Sequence, residues 1–361
     1  MNFFNLVNVI DKKMTPLKIE PNLCTRLISP KGTCKSCVDY CPTNSITFMK
    51  NNIEIDDHCV ECGLCTTVCP TSALSSQRPS LHQLVTDITH KCTENERVYV
   101  HCKKIPISDQ EIATVTVPCL GMIPREVWMT ISSSCDNLTV YHTDEGCCQC
   151  EVSKGEEVWQ KELSAGEAMS GKPILFTSKI IKSAQPTQFD PKRRGFFTAL
   201  ISELKETNKL AFQGAVGGSE VQSYREKLED DPLMKVKNEL AALSNQLVEK
   251  ITNESPFPYM NKRKLILDEL QKNELLKKRK DYRLPTILPD CNFCGACTIL
   301  CPTNALSIVS KNDSTILTLQ PHKCVDCHLC EDICFFQQIF MQDVPNSKLM
   351  SKPTVLAEKK N

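Results

Sequence analysis

The chain has no net charge: 43 lysines and arginines face 43 aspartates and glutamates along 361 residues. Such a balance supplies no general attraction to nucleic acid or to an anionic membrane surface. No run of about 18 apolar residues occurs, which excludes a spanning helix of ordinary hydropathy. The opening MNFFNLVNVIDKKM lacks a basic start, and asparagine interrupts its apolar stretch, so it does not read as an export signal. The later KRRGFFTAL, at 192–200, lies far from the N-terminus and lacks the long apolar run of a twin-arginine signal. Nucleotide signatures are missing too. Gly217-Gly218 is a flexible break, because no lysine and hydroxyl residue follow it as a phosphate loop requires. Residues 186–284 contain no cysteine.

Elsewhere cysteine is abundant, with 23 in the chain. Without an export signal these thiols are expected to stay in the reducing cytoplasm, where metal binding rather than disulfide formation keeps many cysteines together. Four blocks share one spacing: Cys59-x2-Cys62-x2-Cys65-x3-Cys69-Pro70, Cys291-x2-Cys294-x2-Cys297-x3-Cys301-Pro302, Cys324-x2-Cys327-x2-Cys330-x3-Cys334, and Cys34-x2-Cys37-x3-Cys41-Pro42. The last has Lys31 where its first cysteine is due, with Cys24 nine residues upstream of Cys34. In the third, Phe335 replaces the proline, which is expected to change the turn without removing a ligand. Three cysteines spaced by two residues wrap a loop around one iron–sulfur cube, and the fourth ligates the neighbouring cluster. Zinc also binds paired C-x2-C motifs, but it needs only two separated pairs per site.

By this exchange rule Cys59, Cys62, Cys65 and Cys41 hold one 4Fe–4S cluster, and Cys24, Cys34, Cys37 and Cys69 hold its partner. At the other end Cys291, Cys294, Cys297 and Cys334 form one site, and Cys324, Cys327, Cys330 and Cys301 the other. The sequences after the fourth cysteines repeat as CPTNSI at 41, CPTSAL at 69 and CPTNAL at 301. Hairpins are expected over Ser45–Asp56 and Leu306–Leu319. Residues 20–78 and 286–342 thus resemble bacterial two-cluster ferredoxin domains. That resemblance implies low-potential, one-electron transfer through two clusters per domain.

Seven cysteines remain: Cys92, Cys102, Cys119, Cys135, Cys147, Cys148 and Cys150. Strands are expected at Arg97–Cys102, at Ala113–Cys119, at Leu138–His142 and at Ile174–Thr177. Helices are expected at Ser80–His90, Pro124–Ser133 and Glu156–Met169. The alternation suggests a small, mostly parallel α/β sheet with its strand order open. Ligands gather beyond the carboxyl ends of such strands, where Cys102, Cys119 and the 147–150 loop would converge. Four thiols there can hold a 2Fe–2S cluster or zinc, form a redox-active disulfide, or serve as small apolar core side chains. The phrases HCKK, VPCLGMI and GCCQC resemble the delta-type iron–sulfur subunit linking hydrogenases to heterodisulfide reductases. That resemblance implies a 2Fe–2S cluster on Cys102, Cys119, Cys147 and Cys150, with Cys148 able to replace Cys147. Cys92 and Cys135 have no spacing partner and read as ordinary thiols. His101 and His142 neighbour this set, and His58 and His328 neighbour the cluster blocks, each read first as an ordinary side chain.

The expected fold class is α+β: two ferredoxin-like dicluster domains (1–79 and 285–345) flank a cysteine-containing α/β domain (80–185) and a helical connector (186–284), with a tail at 346–361. Connector helices are expected over Gly195–Phe212, Leu233–Thr252 and Lys262–Asp281. Lys277–Lys280 is a basic cluster, read as a solvated face and otherwise as a rim for an acidic redox partner. The chain reads as a cytoplasmic electron-transfer protein or subunit. It would relay single electrons through four 4Fe–4S clusters, and a further 2Fe–2S centre, between a protein donor and a protein acceptor, without nucleic acid or a membrane span. It reads as a carrier component of an oxidoreductase system more than as a stand-alone enzyme. The alternatives are an oxidoreductase using thiol or cluster chemistry at the central cysteines, and a sensor whose clusters respond to oxygen or iron.

Overall fold

The computed structural model describes residues 17–180 and 258–360, apart from 108, 110, 144, 145, 148, 312 and 313. Cys148 and the expected helices Gly195–Phe212 and Leu233–Thr252 lie outside the described residues. All that is described falls within one of two units into which the chain divides.

The first cysteine-rich segment runs β1 (Leu17–Ile19), α1 (Thr25–Ile28), α2 (Ser36–Asp39), β2 (Ile46–Met49), β3 (Asn52–Ile55), α3 (Leu64–Val68) and β4 (Leu74–Ser76). Strands β2 and β3 form an antiparallel hairpin, and β1 pairs antiparallel with β4. Inward residues Leu17, Ile46, Ile53 and Leu74 pack directly against Cys37, Cys41 and Cys65. The core of this small domain is therefore part hydrocarbon, part thiol.

Next come α4 (Leu81–Glu94), β5 (Val98–Cys102), β6 (Thr114–Val117), α5 (Arg125–Ser134), β7 (Leu138–Tyr141), α6 (Gly155–Ser170) and β8 (Leu175–Thr177). Ser80 opens α4 with a capping box shared with Gln83. The four strands form one parallel sheet in the order β6-β5-β7-β8. Every residue of β5 is buried, as a strand covered on both faces requires. Helices α5 and α6 pack closely because Gly166 offers no side chain: a Cβ there would stand 2.4 Å from the Trp128 Cβ. Arg125 on α5 closes the same contact with a two-pronged bond to Glu162, Nε to Oε2 at 2.9 Å and Nη2 to Oε1 at 2.6 Å.

The last segment contains α7 (Pro258–Lys272), α8 (Glu274–Lys278), β9 (Tyr282–Ile287), α9 (Ala296–Ile299), β10 (Leu306–Lys311), β11 (Ser314–Leu319), α10 (Leu329–Asp332), β12 (Ile339–Val344) and β13 (Thr354–Lys360). The expected helix Lys262–Asp281 is broken in two, because the Asn273 side chain caps α8 by accepting from the Leu275 and Leu276 N–H groups. The pairing β9–β12 and the hairpin β10–β11 reproduce the first domain's plan of outer pair plus hairpin. Residues read as a tail return as β13, antiparallel to β11, making a three-stranded sheet. Helix α7 ties the segments together: Ile266 and Leu270 share one core with Met129 and Met169 of the central domain and with the strands that follow.

Gly166→Ala is expected to lower stability by about 1–3 kcal/mol through overpacking, although alanine gains about 1 kcal/mol of helix propensity. Urea denaturation of the variant checks this, and an unchanged midpoint would contradict the close helix approach.

Candidate metal centres

Three of the four cysteine blocks are built on a repeated backbone device. The second residue after each first cysteine is left-handed: Glu61 (φ 53°), Phe293 (φ 58°) and Asp326 (φ 55°). So is the residue after each second cysteine: Gly63 (φ 79°), Gly295 (φ 78°) and His328 (φ 61°). Such alternation turns successive backbone N–H groups into one concavity, the form that binds anions and iron–sulfur clusters. Four non-glycine residues in this strained region, in matching positions, mark a design rather than an accident.

The fourth cysteines carry a second device. Asn44, Ser72, Asn304 and Gln337 are all left-handed, and each donates its N–H to the carbonyl of the cysteine three residues earlier. Gln337 keeps this turn although Phe335 stands in place of proline, so the missing proline does not alter the turn. What the third block lacks is a hydroxyl. Thr43, Thr71 and Thr303 each stand 3.7 Å from the sulfur of Cys41, Cys69 and Cys301, whereas the corresponding residue after Cys334 is Phe336.

The cysteines grouped by spacing come together. Cys41, Cys59, Cys62 and Cys65 line one cavity, with Pro42, Ile46 and Ile55. Cys301, Cys324, Cys327 and Cys330 line another, with Pro302, Leu319 and Met341. Each holds about 340 Å³ of atom-free space, part of it open to solvent. Cys37 lies within electrostatic reach of Cys69, Cys34 and Cys24, so the distant Cys24 joins that group. Cys297 is in reach of Cys291, Cys294 and Cys334. Paired groups adjoin one another through Cys65 and Cys37, and through Cys330 and Cys297.

Burial, reinforced by neighbouring thiolates, pushes these thiols up: Cys37 and Cys297 to about 12, Cys62 and Cys324 to about 11. Cys65, Cys327 and Cys330 are raised by the same causes. A bare site thus resists becoming four thiolates, and a cationic iron–sulfur core is what relieves that repulsion. Among the described residues no three His, Cys, Asp or Glu side chains gather as a single-ion site would need. The cysteines surround a space instead, lined by N–H groups and apolar side chains. This donor set fits a cluster better than zinc.

The central cysteines also converge at the carboxyl end of the parallel sheet. Cys102 ends β5, Cys119 follows β6, and Cys147 and Cys150 lie in the loop after β7. Cys147 is in reach of Cys102 and Cys150, and Cys119 of Cys102 and Cys147. Gly121 and Val152 donate backbone N–H bonds to the sulfurs of Cys119 and Cys150, both at 3.4 Å. Burial raises Cys119 to about 12 and Cys147 to about 11.

Histidines divide sharply. His142 Nε2 stands 2.9 Å from the Cys147 sulfur, its ring held against Trp159 and Phe176. His101 is committed elsewhere, to the Thr116 hydroxyl at 3.0 Å and the Cys102 carbonyl at 3.1 Å. His58 is exposed beside Asp56. His328 lines the Cys327 cavity between Asp326 and Glu331.

Two findings escape sequence reading. Cys92 and Cys135 meet: a thiol–thiol hydrogen bond, together with burial, pushes Cys135 up. They lie at the opposite end of the sheet from the central group, and only the packing of α4 on α5 reveals them. The second is the seam between the first domain and the central one. Gly63 approaches Met122 so closely that a Cβ would stand 2.7 Å from the Met122 Cβ, and Gly121 meets Leu64 at 2.4 Å. As a result Cys62 of the first domain lies in reach of Cys119.

The basic cluster is partly paired. Lys277 pairs with Glu274, Arg279 with Asp281 and Arg283 with Asp326. This favours the solvated-face reading.

Residues 32–73 and 290–338 each match the family described as the 4Fe-4S dicluster domain. No curated protein and no solved structure matches the chain. The chain therefore carries a dicluster domain at each end, which supports bound 4Fe–4S clusters and an iron–sulfur electron-transfer role. No helix among the described residues is long and apolar enough to cross a membrane.

Raised thiols set a pH dependence for the iron-free protein. Below the ordinary thiol value near 9 both states stay protonated. Above it the unfolded chain sheds protons that the folded chain keeps up to about 12, so stability falls as pH rises across that window. Urea midpoints of the reduced, iron-free chain should decline from pH 9 upward. A flat profile would contradict the crowding of these thiols.

Proposed function

We propose that this chain is an electron relay with its centres arranged in a single string. One observation carries the reading: each cysteine group either adjoins the next or is tied to it by side chains bonded to both. The central group meets the first domain through Cys119 and Cys62. Within that domain Cys65 meets Cys37. Across to the last domain, the Lys262 ammonium bonds the carbonyls of Thr66, Thr67 and Cys69, while adjacent Arg263 bonds the Cys324 carbonyl. Thr33, beside Cys34, donates both its N–H and its hydroxyl to Asp332 at 2.9 Å. Finally Cys330 meets Cys297, whose group includes the exposed Cys294.

In this reading the four ferredoxin-type groups hold four 4Fe–4S clusters on Cys24, Cys34, Cys37 and Cys69; on Cys41, Cys59, Cys62 and Cys65; on Cys301, Cys324, Cys327 and Cys330; and on Cys291, Cys294, Cys297 and Cys334. The central group holds a 2Fe–2S cluster on Cys102, Cys119, Cys147 and Cys150, consistent with the resemblance to the delta-type subunit. When bound, the clusters supply one-electron chemistry. The protein holds them in series, excludes water with Leu64, Met122 and Ile46, and aims N–H groups at their sulfurs. Thiolate ligands that must stay reduced suit the cytoplasm. A protein donor and acceptor would meet the two ends of the string, making the chain a component of an oxidoreductase system.

A second reading, thiol chemistry at the central site, is favoured by the 2.9 Å contact of His142 with Cys147. Iron analysis separates the two. Anaerobically purified protein is expected to carry about 18 irons with matching sulfide, about 16 in cubes and about 2 in the centre. Cys62→Ala and Cys327→Ala should each remove about 4 irons and slow electron passage. Replacing Cys102, Cys119, Cys147 and Cys150 together should remove about 2. Loss of no iron from that last variant would leave the central site to thiols.

A further inference from the structure

Helix α7 buries a stripe formed by Arg263, Ile266 and Leu270. The spacing of three and four is the buried face of an ordinary helix, and Arg263 occupies a position where an apolar residue belongs. Its side chain is nonetheless almost wholly enclosed, at 3% exposure. One Nη donates to the Cys324 carbonyl, and the guanidinium lies over the Tyr282 ring at 4.7 Å. Its Nε and other Nη have no hydrogen-bond partner among the described residues. No described carboxylate lies within ion-pair distance of it. Glu126 accepts from the Tyr282 hydroxyl at 3.4 Å.

A guanidinium cannot shed its charge by deprotonation, and a buried charge without a counter-charge is strongly disfavoured. Among the described residues nothing supplies that counter-charge, and the site beside Arg263 is where one would form. The neighbouring cavity, lined by Cys301, Cys324, Cys327 and Cys330, is where four thiolates would hold an iron–sulfur cube. Such a cube is net anionic in both redox states and gains one further negative charge on reduction. Arg263 touches the backbone of one of its ligands. A fixed positive charge there stabilises the reduced state more than the oxidised one, and so raises the potential.

We infer that Arg263 is a positioning and tuning residue that compensates the cluster of Cys301, Cys324, Cys327 and Cys330, making that cluster the electron-accepting step where the string crosses between the two dicluster domains. The inference rests on the relay reading above. Adjacent Lys262 anchors the other side of the crossing through the Cys69 carbonyl. One electron from the neighbouring cluster, delivered there by a low-potential donor protein, would settle beside Arg263 without proton uptake.

The test uses the full chain, purified anaerobically, as Arg263→Gln and Arg263→Lys. Iron and sulfide are counted first, then the midpoints are read by dithionite titration monitored by electron paramagnetic resonance. In Arg263→Gln one midpoint should fall by at least a tenfold change in the one-electron equilibrium, about 59 mV, with the others unmoved. Arg263→Lys should recover most of that fall. The displaced midpoint should be the one missing from Cys327→Ala. Unmoved midpoints in Arg263→Gln, or an equal shift in Arg263→Lys, would overturn the inference while leaving the relay intact. A Cys327→Ala protein retaining all its iron would instead overturn the cluster assignment. Should Arg263→Gln fail to load iron, Arg263→Met is compared with the parent by urea denaturation in the iron-free state. There the variant should be at least as stable as the parent, because its uncompensated charge is gone. A less stable iron-free variant would show that the polypeptide itself compensates Arg263, and would overturn the inference.

Discussion

Thiolates packed into small apolar cavities repel one another, and the rest of this structure is arranged around that repulsion. Domains of about sixty residues have little hydrocarbon to bury, and here much of what they do bury is sulfur. Cys37, Cys41 and Cys65 belong to the first core, and Cys324 to the last. The short helices α1, α2, α3, α9 and α10 are each four or five residues long. Isolated helices of that length do not persist. They are held by the cysteine loops on either side, so folding and cluster binding are coupled.

Left-handed residues extend the same logic to the backbone. A chain that places Glu61, Phe293 and Asp326 at positive φ accepts strain at three matched positions. What it gains is N–H groups directed inward, which favour an anionic cluster and oppose the repulsion among its ligands. The fourth-cysteine turn shows how far this depends on backbone and how little on proline. Gln337 adopts it after Phe335 as Asn304 does after Pro302. The substitution therefore acts outside the turn: it withdraws the threonine hydroxyl from the sulfur and sets two exposed rings, Phe335 and Phe336, beside the group containing Cys294. Lys31 of the first domain stands over Phe335 at 5.2 Å, so the change also contributes to the contact between domains.

How much of this is legible in the sequence follows from the range of the interactions. C-x2-C-x2-C is a local device, since each cysteine is placed by the turn it belongs to, and the grouping can be read without a structure. The parallel strands at β5, β6 and β7 are legible for a similar reason: short β-branched runs ending at a polar loop. Strand order β6-β5-β7-β8 is a long-range matter and is not. Nor is the meeting of Cys92 with Cys135, 43 positions apart in the numbering, which depends on how α4 lies on α5. The pairing of β13 with β11 is hidden likewise, because Thr354–Lys360 is a polar edge strand whose partner is chosen by geometry alone.

The junctions between domains are the least legible feature, and they decide whether separate centres become a path. Gly63 reads in sequence as one more residue of a cysteine loop. In the fold it must lack a side chain for two reasons, a left-handed φ and the closeness of Met122. Lys262 and Arg263 read in sequence only as the start of an expected connector helix. In the fold they point to opposite neighbours, one bonding the carbonyl of Cys69 and the other that of Cys324. Two consecutive helical residues diverge by about 100° around the axis, so one turn of α7 can contact both dicluster domains at once. A glycine and a pair of basic residues therefore do what no cysteine motif can: the glycine lets Cys62 come within reach of Cys119, and the basic pair ties the backbone of Cys69 to that of Cys324.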